Sequence, residues 1–460
     1  MQIEQLYTGC LSQGAYYIES NGEAVVIDPL RETAPYLQRA KRDKATITYI
    51  FETHFHADFV SGHLTLSKQT GATIVFGPNA STSFDAHIAK DNEVFTVGDI
   101  TITVLHTPGH TMESTTYLLR DGSGKEHAIF TGDTLFLGDV GRPDLAQKSA
   151  DITQEQLAGT LFDSLRNKIM PLPNDVIVYP AHGAGSACGK NMMTQTVDTL
   201  GNQKQMNYAL RQDMTKEEFI KEVTDGLVAP PAYFPLNAKM NKQGYEHLDS
   251  ILERACLPIS AQDFEDLANK TGAIILDVRN QLDFMQGHIP NSIFIGIDGG
   301  FAPWVGALIK DVKQPILLVA PENREAEVIM RLSRVGFDNT LGFLEGGIAS
   351  WQSAGKEIDS MQTVSAKTLE DVLEKGMPIF DVRKQGEFSA AHVPTASHTP
   401  LSFINDYLAL FPDASPFYLY CAGGYRSVIA ASILKSRGIH GGINVTGGFA
   451  SIKEAAIAVV

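Results

Sequence analysis

The chain has 460 residues, 43% of them hydrophobic and 20% charged, with 37 basic against 53 acidic residues and a net charge of −16. That length exceeds a single hydrophobic core and predicts several domains of about 100–200 residues each. The acidic balance, unbroken by any dense Lys/Arg tract, argues against nucleic acid and anionic membrane as partners.

The first ten residues, M-Q-I-E-Q-L-Y-T-G-C, show neither the basic nor the apolar region of a secretory signal, and the expected location is the cytoplasm. No apolar run approaches the roughly 20 residues of a membrane span. Four cysteines, Cys10, Cys188, Cys256 and Cys421, lie too far apart for a disulfide framework or a C-x-x-C metal pair.

Over the first two hundred or so residues, apolar strand-length segments such as A-V-V-I-D, T-I-T-Y-I-F and V-I-V-Y-P alternate with helical or loop stretches. Several of these segments end directly in His or Asp. The first such end reads His54-x-His56-x-Asp58, followed by Phe59. T-P-G-H-T then supplies His110, F-T-G-D-T supplies Asp133, and Y-P-A-H-G supplies His182. Ligands at the strand ends of a rigid sheet can converge on one cation. Neutral imidazole and carboxylate suit zinc, iron or manganese, and the absence of cysteine from these motifs argues against a closed structural zinc site. A single histidine is more often a surface or core residue; the four motifs together, each after a strand, point to a metal. His63, His87, His106 and His127 stand outside them and receive no role.

These motifs resemble the metallo-β-lactamase superfamily. The resemblance implies an αββα sandwich with metal at one edge, and Asp28 in V-V-I-D-P matches a structural acidic position of that fold. The superfamily's dinuclear hydrolases, glyoxalase II among them, carry H-x-H-x-D-H. Here Phe59 takes the last place, and a benzyl ring offers no lone pair, so the expected count is one metal. The mononuclear pattern resembles the persulfide dioxygenase branch, which implies one Fe(II) held by His54, His110 and Asp133, with positions open to O2 and substrate. His56, Asp58 and His182 are then expected to order water and orient the ligands without binding metal.

Gly138–Leu145, G-D-V-G-R-P-D-L, resembles a segment of the same branch. Its Arg142 either pairs with a carboxylate of a thiol-tripeptide substrate or forms a structural salt bridge. Cys188, six residues after His182, lies within a reach of about 20 Å and can face the same pocket. It reads either as a buried structural thiol or as a sulfur acceptor beside the iron.

Beyond the Pro-rich Val228–Pro235, expected to wrap or link, the chain repeats itself. Asp277-Val278-Arg279 recurs as Asp381-Val382-Arg383, followed in both copies by Phe, His and Pro. P-I-L-L-V-A at 315–320 recurs as P-F-Y-L-Y-C at 416–421, and G-G-I-A-S-W at 346–351 as G-G-F-A-S-I at 447–452. A period of about 100 residues is too long for a solenoid and indicates a duplicated domain. Alternating strands and helices in each copy predict a parallel sheet.

In the second copy, Cys421 ends an apolar strand and opens the loop Ala422-Gly423-Gly424-Tyr425-Arg426 before a helix. A Gly-rich loop entering a helix presents converging N–H groups, which favour a thiolate or persulfide and cradle an anionic substrate. Arg426 adds positive charge. The segment resembles the rhodanese active loop, C-x-x-x-x-R; Asp381 and Arg383 are expected to be structural. In the first copy Ala320 replaces the cysteine, and Pro321 and Glu322 replace the small residues, so this copy cannot carry sulfur and is expected to serve as a spacer and docking module.

The expected architecture is α/β throughout: a metallo-β-lactamase sandwich over 1–245, then two small rhodanese-like domains with parallel sheets, an inactive one over 246–360 and an active one over 361–460. The resemblance implies oxidation of a low-molecular-weight persulfide, glutathione persulfide or similar, by O2 to sulfite and thiol. Cys421 is expected to make or use thiosulfate in sulfide detoxification. A dimeric or tetrameric assembly is implied too. The alternative is a dinuclear zinc thioester hydrolase of the glyoxalase II type fused to a sulfurtransferase.

Overall fold

The computed structural model describes residues 1–147, 151–413 and 415–460. They divide into two compact units, Met1–Leu248 with Ser333–Gly336, and Asp249–Leu332 with Phe337–Val460.

The first unit holds two six-stranded sheets. One runs in the order β1 (Gln2–Thr8), β2 (Gln13–Ser20), β3 (Glu23–Ile27), β4 (Thr46–Glu52), β5 (Thr73–Phe76), β6 (His87–Ile88). It is antiparallel as far as β3 and parallel beyond. The other contains β7 (Val94–Val97), β8 (Ile100–His106), β9 (Thr115–Arg120), β10 (Glu126–Gly132), β11 (Ile177–Pro180) and β12 (Asp198–Thr199), adjacent in that order. Strand alternation decides the layers. Tyr16, Ile18, Val25 and Ile27 share one core with Ile102, Val104, Tyr117 and Phe130 of the second sheet. Ala15, Tyr17, Ala24 and Val26 point the other way, onto the helices that carry Tyr36, Ala40 and Leu66. The outer face of the second sheet is covered by Leu161, Leu165 and Phe219. This is the αββα sandwich read from the motifs. The inner strands β3, β9 and β10 are buried on both faces, which is why they read as near-continuous apolar runs.

The second unit repeats one topology. Its first sheet runs β13 (Pro258–Ile259), β17 (Thr340–Leu344), β16 (Ile316–Val319), β14 (Ile274–Asp277), β15 (Ile293–Phe294). The other runs β18 (Thr363–Val364), β22 (Gly442–Val445), β21 (Phe417–Tyr420), β19 (Ile379–Asp381), β20 (Ser397–His398). All pairings in both are parallel. The Asp-Val-Arg motif does the same work in each copy. Arg279 forks onto Asp277 and donates to the Gly287 carbonyl; Arg383 forks onto Asp381 and donates to the Ala391 carbonyl. Among the described residues no helix is long and apolar enough to cross a membrane.

Candidate metal centre and cysteine loop

Strand ends deliver the metal-ligand candidates. Asp28 follows β3, His54 lies two residues beyond β4, Asp133 follows β10 and His182 lies two residues beyond β11; His110 comes from the loop between β8 and β9. All are buried. One ligand atom each of His54, His110 and Asp133 lie within 4.8 Å of one another. Asp133 Oδ2 stands 3.4 Å from His110 Nε2 and 3.9 Å from His54 Nε2.

Two hydrogen bonds fix which nitrogen of each histidine is free. A carbonyl only accepts, so His110 Nδ1 donates to the Arg142 carbonyl, at 2.9 Å, and Nε2 is left with its lone pair. Thr53 donates its hydroxyl to Asp28 Oδ2 at 2.8 Å. Its oxygen therefore accepts from His54 Nδ1 at 3.0 Å, and again Nε2 is free. Burial and then the imidazoles of His56, His110 and His182 push His54 well below its ordinary value, so it stays neutral. Both Asp133 oxygens are buried without a hydrogen-bond partner among the described residues. Buried carboxylate oxygens are normally paired; here Oδ2 faces the Nε2 atoms of His54 and His110 and Oδ1 faces that of His182, an arrangement that fits a bound cation.

A second set overlaps the first. His56, Asp58 and His182 offer atoms within 4.8 Å of one another, and so do Asp133, His182 and Cys188. His182 Nε2 lies 3.4 Å from Asp58 Oδ2 and 3.5 Å from Asp133 Oδ1. Burial works against charge on His56, yet Asp28, Glu52 and Asp58 together raise it to about 9. Phe59 is fully buried, its ring against His56 with centroids 4.3 Å apart. Burial, followed by the Asp133 and Asp58 carboxylates, pushes the Cys188 thiol well above its ordinary value.

Arg142 does not present a free guanidinium. It forks onto Asp144 at 2.6 and 2.7 Å and donates to the carbonyls of Ala187 and Val228. Of the two roles read for Arg142, the structure shows the salt bridge. The residue works through its backbone as well, its N–H holding the Cys188 carbonyl at 3.0 Å. The motifs alone do not point to Asn241, which lies on the helix Phe234–Gln243 just past the Pro-rich segment. Its amide donates to the carbonyls of His56 and Phe59, each at 2.8 Å, and clamps the ligand loop.

In the second unit, Cys421 follows β21 directly and is buried. Its sulfur accepts the Gly424 N–H at 3.1 Å and lies 3.6 Å from Ser427 Oγ. Ala422 and Gly423 are exposed at the loop mouth. Gly448 (φ +56°) packs onto the loop, where a Cβ would lie 2.3 Å from the Cys421 carbonyl oxygen. Arg426, the positive charge of the loop, has a carboxylate partner. It forks onto Glu387 at 2.6 and 2.8 Å, and that pairing holds the Glu387 carboxyl down to about 2. Tyr425 turns its side chain away from the loop, onto the Gly296 carbonyl at 2.9 Å.

Comparison with known proteins agrees with both halves. Residues 8–182 match the metallo-beta-lactamase superfamily, and residues 260–354 and 365–455 each match the rhodanese-like domain. The chain is 33% identical to the mitochondrial persulfide dioxygenase ETHE1 of Homo sapiens over 201 residues, 43% of this chain and 70% of that protein. The chain belongs to the family of metallo-β-lactamase–rhodanese fusion proteins. It is also 30% identical over 182 residues to a probable hydroxyacylglutathione hydrolase of Schizosaccharomyces pombe, covering 38% of this chain and 66% of that one. A solved metallo-beta-lactamase from Staphylococcus aureus superposes with a TM-score of 0.65 at 31% identity, over 75% of this chain and 99% of that one.

Proposed function

We propose that the chain is an iron-dependent persulfide dioxygenase joined to a thiosulfate sulfurtransferase. The observation that carries the reading is the convergence of two imidazoles, each with its Nδ1 already engaged, and one unpartnered carboxylate at His54, His110 and Asp133. Two histidines and one carboxylate are the ligand type of oxygen-activating iron, and leave coordination positions open. Bound iron would supply the electron transfer that activates O2. The protein's own part is to orient both imidazoles with Nε2 toward the site, through Asp28, Thr53 and the Arg142 carbonyl, and to shield the site from bulk water. The overall change is RSSH + O2 + H2O → RSH + SO3²⁻ + 2H⁺, in which the outer sulfur loses four electrons to O2. Sulfite plus a second persulfide then gives thiosulfate and thiol, with Cys421 as the sulfur carrier, in either direction. His56, Asp58 and His182 orient water and ligands, and the loop Ala422–Tyr425 faces the anionic sulfur donor. We place the reaction in the cytoplasm, in sulfide detoxification.

Similarity to a human persulfide dioxygenase supports this reading. The cluster of His56, Asp58 and His182 favours a second one, a dinuclear thioester hydrolase; Phe59, with no lone pair, weighs against it. Oxygen uptake with glutathione persulfide, accompanied by sulfite, tests the first. Hydrolysis of an S-acyl thioester without oxygen uptake would replace it with the second.

A further inference from the structure

The helix Tyr425–Ser436 carries the Cys421 loop at its start, yet several of its fixed points lie on the cysteine-less repeat. Tyr425 Oη donates to the Gly296 carbonyl at 2.9 Å, and its ring stands edge-on to Phe294, centroids 5.7 Å apart. A Cβ at Gly299 would lie 2.4 Å from the phenol oxygen and the carbon bearing it, and one at Gly296 would lie 3.3 Å from the ring. Aligning β15 with β20 places Pro400 and Phe403 of the active repeat opposite these two glycines. The bare backbone at 296 and 299 is thus peculiar to the copy that receives the ring. Further along the helix, Ser432 Oγ accepts the Phe294 N–H at 3.0 Å, and Lys435 reaches Asp359 at 2.7 Å.

Tyr425 is one peptide unit from Gly424, whose N–H points at Cys421 Sγ from 3.1 Å and whose φ of +101° suits glycine. A cavity of about 380 Å³ borders the Tyr425 ring and is lined by Arg279, Phe294 and Asp298 of the first repeat. The ring is therefore not wedged on every side, and its hydroxyl bond matters for holding it.

We propose that Tyr425 is a positioning residue: seated on Gly296 and Gly299 of the inactive repeat, it aims the Gly424 N–H at the Cys421 sulfur, so that a domain unable to carry sulfur sets the reactivity of the one that does. This rests on the reading of Cys421 as sulfur carrier and adds a role for the repeat that lacks the cysteine.

The test is the pH profile of Cys421 alkylation by iodoacetamide in the full chain, followed by mass spectrometry of the Cys421 peptide. Tyr425→Phe removes only the hydroxyl; Gly299→Ala disturbs the seat from the other repeat. The charged groups near the loop, Arg426 with Glu387 and Arg383 with Asp381, are untouched by either change. Both variants are expected to move the profile to higher pH and to slow alkylation at pH 7 by about 2–10-fold, the factor carried by one hydrogen bond. Alkylation as in wild type, or a lowered Tm with an unmoved profile, overturns the proposal. If Gly299→Ala fails to fold, Tyr425→Phe decides alone. Should wild-type Cys421 alkylate normally but transfer no sulfur, the sulfur-carrier reading fails while the positioning result still stands or falls on its own profile.

Discussion

His110 Nδ1 hydrogen-bonds the carbonyl of Arg142 at 2.9 Å, so an arginine shapes the metal centre through its backbone rather than its charge. Gly141 makes that approach possible. A Cβ there would lie 2.1 Å from the Asp133 carbonyl oxygen and 2.9 Å from His110 Nδ1. Gly141→Ala is expected to lower metal affinity by about 10–100-fold, the usual cost of losing a ligand-orienting partner. Competition with a chelator measures it; unchanged affinity would mean that the carbonyl does not orient His110.

The Asp28–Thr53–His54 chain makes a parallel case. Thr53→Val keeps the volume and removes the oxygen that accepts from His54 Nδ1. Metal affinity should fall by about 10-fold or more, whereas Thr53→Ser should retain it. Equal affinity in the valine and serine variants would show that the hydroxyl does not choose the tautomer.

Arg142→Ala separates the two roles read for that side chain. Its pairing with Asp144 is largely buried, at 7% and 12% side-chain exposure. Breaking a buried pair costs about 3–5 kcal/mol, so Tm should drop, and Asp144→Asn should reproduce part of the loss. A raised KM for persulfide at unchanged Tm would instead favour the substrate-binding role.

Much of this centre was legible because His54, Asp133 and His182 stand just beyond strands, where a short motif marks both the strand and the side chain, and because T-P-G-H-T marks His110 in its loop. What orients the ligands was not. The partner of His110 is a carbonyl, which every residue has and no motif announces. Glu387, which neutralises Arg426, lies 39 residues before it, and loop spacing alone reveals the cation but not its counterion. It sits in Q-x-E-F, matched by Q-x-D-F around Asp283 in the first copy, a repeat signal that could have raised the question. The duplicated α/β topology was readable because matching Asp-Val-Arg and Gly-Gly positions recur in the same order as the strands.

The Glu387–Arg426 pair predicts a pH dependence. Its ordinary carboxyl value of 4.5 is lowered to about 2 by the arginine. A lowered carboxyl stabilises the fold fully above its ordinary value, and that contribution is lost as pH falls towards 2. The stability gap between wild type and Glu387→Gln should therefore narrow between pH 4.5 and about 2. Parallel acid-unfolding curves across that window would mean the pair contributes nothing.

In the function proposed above, a single iron is held by His54, His110 and Asp133, and Phe59 denies a ligand to a second ion. Metal content per chain, measured on protein purified anaerobically without added metal, tests it most directly. About one iron per chain is predicted, rising towards two ions in Phe59→His, which restores a lone pair at that position. Close to two zincs per wild-type chain would contradict it and turn the search to thioester substrates.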